Sequence, residues 1–214
     1  MLPKIIIHNS VSADGSLTGF EVNMGLHYDI AGNYKPDAHL IGSNTAKTGI
    51  DTYGGRPETK SDLVKPSRDK ELPYWAIIDT EGKLKGHLHN LRGFEYCKDV
   101  IVFVSKATPQ SYLDYLKERD YDHHVLGNLK VDLKKALVLL YDNYKVRKIL
   151  TDTGRILSNL LIEEKLADEL SLLIHPVLVG EKSYKLFSVP GELRLVKSEV
   201  LEKDFVWSTY EMGK

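Results

Sequence analysis

Six short runs of small, polar and glycine residues stand at the ends of apolar stretches: Asn9-Ser10-Val-Ser12-Ala-Asp14-Gly15, Gly42-Ser43-Asn44-Thr45, Asp79-Thr80-Glu-Gly82, Ser105-Lys106, Gly127-Asn128 and Thr151-Asp152-Thr153-Gly154-Arg155. Glycines there let a ligand approach the backbone, and N–H groups at helix starts bind phosphate oxygens with help from the helix dipole. Each run taken singly also suits an ordinary turn or helix N-cap. Arg155 adds a further hint, because a cation in the first turn of a helix beginning near Gly154 costs about 0.3–1 kcal/mol unless an anion offsets it. A bound phosphate would do so, as would a solvated or carboxylate-paired arginine.

Other chemistry finds little support. No two glycines stand two apart, so the G-x-G-x-x-G dinucleotide fingerprint is absent, as are the Walker A, H-E-x-x-H and G-x-S-x-G patterns. His87-x-His89 and His123-His124 lack an evident third ligand, so no metal is expected. Cys97 is the only cysteine, which excludes an intrachain disulfide and any paired-thiol motif. It reads as a half-buried apolar residue.

The elements that must position these runs follow from hydrophobic periodicity. Apolar segments of strand length occur at 4–8, 38–41, 74–78, 99–104, 122–126 and 147–151, with helical patterns at 109–119, 131–143 and 154–164. Strands such as Val100-Ile-Val-Phe-Val104 are continuously apolar, which predicts a mostly parallel sheet covered on both faces by helices. Toward the end, Leu170–Ile174, Leu193–Leu201 and Asp204–Glu211 follow one another without helices, with turns at Pro190-Gly191 and Glu202-Lys203, and predict antiparallel strands. Tyr53–Leu72, rich in Gly, Pro, Ser, Lys and Asp, reads as a surface loop. In an α/β fold of this kind the ligand crevice lies beyond the carboxyl ends of the strands, where the six runs fall.

The chain has 214 residues, 42% hydrophobic and 28% charged, and is expected to form a single domain over 1–214. Its 29 basic and 30 acidic residues leave a net charge of −1, without the basic excess of a nucleic-acid-binding protein. No apolar stretch approaches the ~18 residues that span a bilayer, and the N-terminal apolar run is too short for a signal peptide. A cytoplasmic protein with neither nucleic-acid nor membrane partners is expected.

Ser10-Val-Ser-Ala-Asp-Gly-Ser16, Gly42-Ser-Asn-Thr45, Ile78-Asp-Thr-Glu-Gly-Lys-Leu84, Thr151-Asp-Thr-Gly154 and Leu166–Gly180, with its His-Pro-Val-Leu-Val-Gly ending, occur in the order of the riboflavin-biosynthesis reductase (RibD C-terminal) family. The chain resembles that family over residues 3–190. The resemblance implies the dihydrofolate-reductase-like fold, a homodimer, and NADPH-dependent reduction of the ribosyl group of a ribosylaminopyrimidine 5′-phosphate to the ribityl form. It places Thr45, Asp79, Thr80, Ser105, Gly127, Thr153 and Gly154 on the cofactor side and Asn9, Ser12, Asp14 and Gly15 on the substrate side; Arg155 is added to the cofactor side as a phosphate contact on the helix-start argument alone. Asp14 is the first candidate for a proton donor, since a carboxyl facing an apolar nicotinamide would have its pKa raised. The sequence departs from the family at Arg155, where a second glycine is usual, and at Gly49, where an Asp is frequent. A different small-molecule reductase on the same fold, or a nucleotide-binding paralogue without activity, are the competing readings.

Overall fold

The computed structural model describes residues 1–65 and 67–213; Pro66, inside the expected surface loop, and Lys214 lie outside the described residues. In chain order the elements are β1 (Lys4–Ser12), α1 (Met24–Asn33), β2 (Ala38–Gly42), α2 (Ser43–Tyr53), β3 (Tyr74–Ile78), α3 (Leu88–Arg92), β4 (Val100–Val104) and α4 (Gln110–Glu118). There follow β5 (Asp122–Val125), α5 (Leu133–Asn143), β6 (Lys148–Thr151), α6 (Arg155–Glu163), β7 (Glu169–His175), β8 (Leu193–Val200) and β9 (Val206–Met212). They fall into two compact units.

The first unit, Met1–Pro3 with Asp37–Arg147, carries four parallel strands in the order β5-β4-β3-β2. Every residue of β4 is buried, as its unbroken apolar run requires of a strand covered on both faces. Ile77, Val102, Val104, Leu84, Leu88, Tyr112 and Leu116 form one packed cluster. Helix α5 buries Leu133, Ala136, Leu137 and Leu140 on one stripe, and its start is fixed by Asp132, whose carboxylate accepts the Lys135 N–H at 3.0 Å. Burying Leu137 and Leu140 stabilises the unit by about 1.5–3 kcal/mol each.

The second unit, Lys4–Pro36 with Lys148–Lys214, has the strand order β6-β1-β7-β9-β8. β1 pairs in parallel with β6 and β7, and β9 pairs antiparallel with both β7 and β8. The expected mixture of parallel core and antiparallel C-terminal strands is therefore present. The turn expected at Glu202-Lys203 is made by Lys203 and Asp204 in the left-handed region (φ 58° and 64°), closed by the Leu201 N–H on the Phe205 carbonyl at 2.8 Å.

Two local expectations change. β1 runs to Ser12 instead of ending at residue 8, because its polar half pairs with β7 as far as Ser12 opposite His175. Asn9, Ser10 and Ser12 are thus buried strand residues and not loop residues. The expected loop from Tyr53 to Leu72 begins one residue later, since Tyr53 closes α2, and Lys60–Leu63 within it forms a 3-10 turn. No helix among the described residues is long and apolar enough to cross a membrane.

Candidate active site

In the first unit, Thr45, Asp79, Thr80, Ser105 and Gly127 all lie at or just beyond the carboxyl ends of the adjacent strands β2, β3, β4 and β5. The Thr108 hydroxyl donates to the Thr80 carbonyl at 2.8 Å and accepts the Ser105 N–H at 3.0 Å, which ties two of these ends together. Lys106 N–H on the Gly127 carbonyl, 3.2 Å, ties in the next.

Several of these side chains have internal work. Asp79 is wholly buried, and its carboxylate accepts the N–H groups of Lys83 and Leu84, each at 3.0 Å, so it shapes the turn after β3. The Ser105 hydroxyl donates to the Leu129 carbonyl at 3.3 Å and is fully buried. Gly127 has φ +86°, and a Cβ there would lie 2.2 Å from the Lys130 carbonyl oxygen, so glycine is demanded by backbone packing alone. Thr45 differs. It stands half-buried in the first turn of α2, whose N-cap, Gly42, makes no side-chain cap.

In the second unit, Asn9 joins the ends of β1 and β6. Its amide nitrogen donates to the carbonyls of Asp152 and Thr153, both at 3.3 Å, while its Oδ1 is buried without a partner. The Ser158 hydroxyl of α6 also donates to the Thr153 carbonyl, at 3.2 Å. Gly154 is the N-cap of α6 and, like Gly42, makes no side-chain cap. Arg155 is exposed and places its guanidinium 4.9 Å from the centroid of the Tyr184 ring, so a cation–π contact accompanies the cation that opens this helix.

Asp14 calls for a correction. Its carboxylate accepts the Ser12 hydroxyl at 2.5 Å and the N–H groups of Val179 and Gly180 at 3.2 and 2.9 Å. These bonds hold its pKa down, at about 2, the reverse of the expected elevation, with the Ser12 hydroxyl contributing most. Gly15 (φ +78°) completes a tight turn in which its N–H meets the Ser12 carbonyl at 2.9 Å. Asp14 therefore clamps the turn after β1 to the segment after β7 as an ionised carboxylate.

Two residues passed over in the sequence stand out beside Asn9. His27, in α1 and only 6% exposed, has its Nδ1 within hydrogen-bonding distance of Ser10 Oγ (3.0 Å) and turns its Nε2 toward Asp152 Oδ2 at 3.9 Å. The Asp152 side chain is 24% exposed, so this carboxylate reaches solvent while its neighbours do not. A histidine in mid-helix leaves no motif to find. Asp152 stood in a conspicuous polar run, yet nothing in the sequence paired it with His27.

Tests for a nicotinamide nucleotide can be made on each unit. In the first unit Gly42 caps α2 and in the second Gly154 caps α6, and at each helix start, taken by itself, the absent side chain suits a phosphate oxygen approaching the backbone. Thr45 and Arg155 stand in the first turns of the same two helices. Each helix start, by itself, offers donors of the kind that hold a phosphate of a nicotinamide nucleotide.

The sequence matches the model of the RibD C-terminal domain over residues 3–207. No curated protein sequence matches the chain. Among solved structures it is similar to a pyrimidine reductase-like protein of Corynebacterium diphtheriae, with TM-score 0.75 and 18% identity over 99% of this chain and 92% of that one. The riboflavin biosynthesis reductase Rib7 of Saccharomyces cerevisiae superposes with TM-score 0.70 and 19% identity over 99% and 90% of the two chains. RibD of Acinetobacter baumannii gives TM-score 0.70 and 17% identity, the chain covering 58% of that longer protein. At these identities the likeness establishes the fold, while the family model spans nearly every element described above: the chain belongs to the RibD C-terminal domain family.

Proposed function

We propose that this chain, a reductase by family, uses NADPH to convert the ribosyl group of a 2,5-diamino-6-ribosylaminopyrimidinone 5′-phosphate, or of its deaminated relative, to the ribityl form. The observation that carries the reading is the buried Asn9 amide, which binds the carbonyls of Asp152 and Thr153 and sets the Asp152 carboxylate at the mouth of β1 and β6. The cofactor supplies the hydride. The protein's part is placement, which can lower the barrier by about 7–11 kcal/mol when reactants are held in near-attack geometry.

In the first unit Thr45, Thr80 and the N-terminus of α2 are assigned as cofactor contacts; in the second, so is the N-terminus of α6, with Arg155 at a phosphate. Asp79, Ser105 and Gly127 serve it by shaping the loops, and Thr153 and Gly154 by presenting backbone. Asn9, Ser12 and Gly15 are assigned to the substrate side together with Asp152, and Asp14 rigidifies that side as a clamp.

We further assign a homodimer in the cytoplasm. β8 is the edge strand of its sheet and is exposed along its whole length, with Leu195, Val196 and Val200 each more than half exposed. Such an edge invites pairing with another strand. Sedimentation should give twice the chain mass, falling to one on Val196→Lys.

Incubation of the chain with NADPH and each ribosylaminopyrimidine phosphate, with dihydrofolate as comparison, tests the activity. Oxidation of NADPH with the pyrimidine phosphates and none with dihydrofolate is expected. The reverse preference, or binding of NADPH without turnover on any of them, would overturn the assignment.

A further inference from the structure

The polar residues buried in the second unit form a chain whose proton positions can be worked out from donor and acceptor chemistry. Trp207 Nε1–H can only donate, and it lies 2.9 Å from Ser171 Oγ. The His27 carbonyl can only accept, so His8, 3.2 Å away, carries its proton on Nε2. The unprotonated His8 Nδ1 then accepts the Ser171 hydroxyl at 2.9 Å. Burial pushes the His8 pKa down to about 4, so this ring is neutral near neutral pH.

The His27 ring lies against that neutral ring, with centroids 4.4 Å apart. Tyr28 of α1 meets it edge-on at 5.1 Å, and on β7 the His175 ring has its Nε2 occupied by the Asn23 N–H at 3.0 Å. The only carboxylate facing His27 among the described residues is Asp152. Were His27 to carry its proton on Nδ1, the Nε2 lone pair would point at that carboxylate. The carboxylate therefore favours the Nε2–H form, in which attraction replaces repulsion, and in that form Ser10 donates to Nδ1.

We propose that His27 is the positioning residue for Asp152, its Nε2–H, backed by Ser10 at Nδ1, attracting the carboxylate across 3.9 Å into the orientation that meets the ribosyl part of the substrate. The inference rests on the reductase reading above and adds to it the side chain that aims the carboxylate. His27 is too deeply buried to touch the substrate and acts through Asp152. Supporting side chains of this kind fix rotamers that would otherwise be free to swing.

Four variants of the full chain test it: His27→Phe, which keeps a flat ring against His8, His27→Gln, Ser10→Ala and Asp152→Asn. His27→Phe should lower kcat about 10–100-fold, the usual consequence of misplacing a reacting group, while KM for NADPH stays unchanged. His27→Gln, whose amide N–H replaces the ring donor, should regain most of the loss. His27→Phe combined with Asp152→Asn should be no slower than Asp152→Asn alone, because both remove one interaction. Full activity in a folded His27→Phe variant, or additive losses in the pair, would overturn the proposal.

Nitrogen NMR of the imidazoles in the ligand-free protein supplies a second readout. His27 should show the Nε2–H form, with its Nε2 signal moved by Asp152→Asn and its tautomers mixed by Ser10→Ala; an Nδ1–H form, or indifference to both changes, would refute the pairing. This arm also decides the matter should His27→Phe not fold. If the wild-type chain turns over no pyrimidine phosphate, the reductase reading fails by itself, and the NMR result still decides whether His27 holds Asp152.

Discussion

His8 offers the sharpest test of the buried polar chain. Its pKa is pushed from 6.5 to about 4 by burial, by the neighbouring His27 ring to a lesser degree, and against the pull of its hydrogen bonds. Between these values the unfolded chain binds a proton that the folded chain refuses, so stability rises with pH and is lost as pH falls from 6.5 toward 4. At 1.36 kcal/mol per pKa unit, lowering the pH from 7 to 4.5 should remove about 2–3 kcal/mol through this residue alone. With a urea dependence of about 2 kcal/mol per molar, the unfolding midpoint should drop by about 1 M. His8→Gln, which can keep a donor toward the His27 carbonyl and does not titrate, should lose correspondingly less over the same interval. Urea titrations of both proteins at the two pH values give the answer. Equal losses would show that His8 accepts its proton in the folded state, and the tautomer assignment from Trp207 to His27 would fall with it.

Other consequences follow from single residues. Asp14→Asn should leave the pH profile of kcat unmoved and lower kcat less than about tenfold, short of the 10²–10⁴ expected for a general acid, while hydrogen exchange at Val179 and Gly180 speeds up; loss of an acidic limb would restore Asp14 as proton donor. Because its pKa is held at about 2, the clamp operates above the ordinary Asp range and should fail only as pH falls from about 4 toward 2. Gly127→Ala should destabilise the first unit by about 2–4 kcal/mol, from left-handed strain and contact with the Lys130 carbonyl, and thermal melting within 1 °C of wild type would refute this. Arg155→Ala should weaken NADPH binding more at low salt than at high salt, and equal affinity at low salt would remove Arg155 from the phosphates.

Much of the fold was readable because its strands bury both faces. Val100–Val104 is continuously apolar for that reason, and α5 has one apolar stripe to match. β1 extends past residue 8 through mostly polar residues, and polarity normally signals exposure; here Asn9, Ser10 and Ser12 are buried with hydrogen-bond partners on the elements and loops around them. Helix α1 left a weak trace for a related reason, since it buries a histidine where a leucine would be expected.

The site was legible to a different degree. The polar runs do lie at or near the carboxyl ends of strands, but sequence cannot separate residues that could face a ligand from those that hold the loops. Asp79, Asp14 and Gly127 belong to the latter, each with its carboxylate or backbone committed internally. Cys97, read as half-buried, is completely buried, and its thiol pKa is pushed up to about 12 chiefly by that burial. His27 and Asp152 are 125 residues apart, as 152 − 27 gives, and only the folded chain brings them to 3.9 Å.

The proposed reaction is hydride delivery to the sugar carbon of a ribosylaminopyrimidine phosphate. NADPH deuterated at the transferable position of its nicotinamide ring, incubated with that substrate and the wild-type chain, addresses it directly. The product should carry one deuterium at C1′ of a ribityl chain, and Asp152→Asn should slow its appearance. A product without the label, or an unreduced ribosyl group after prolonged incubation, would contradict the account.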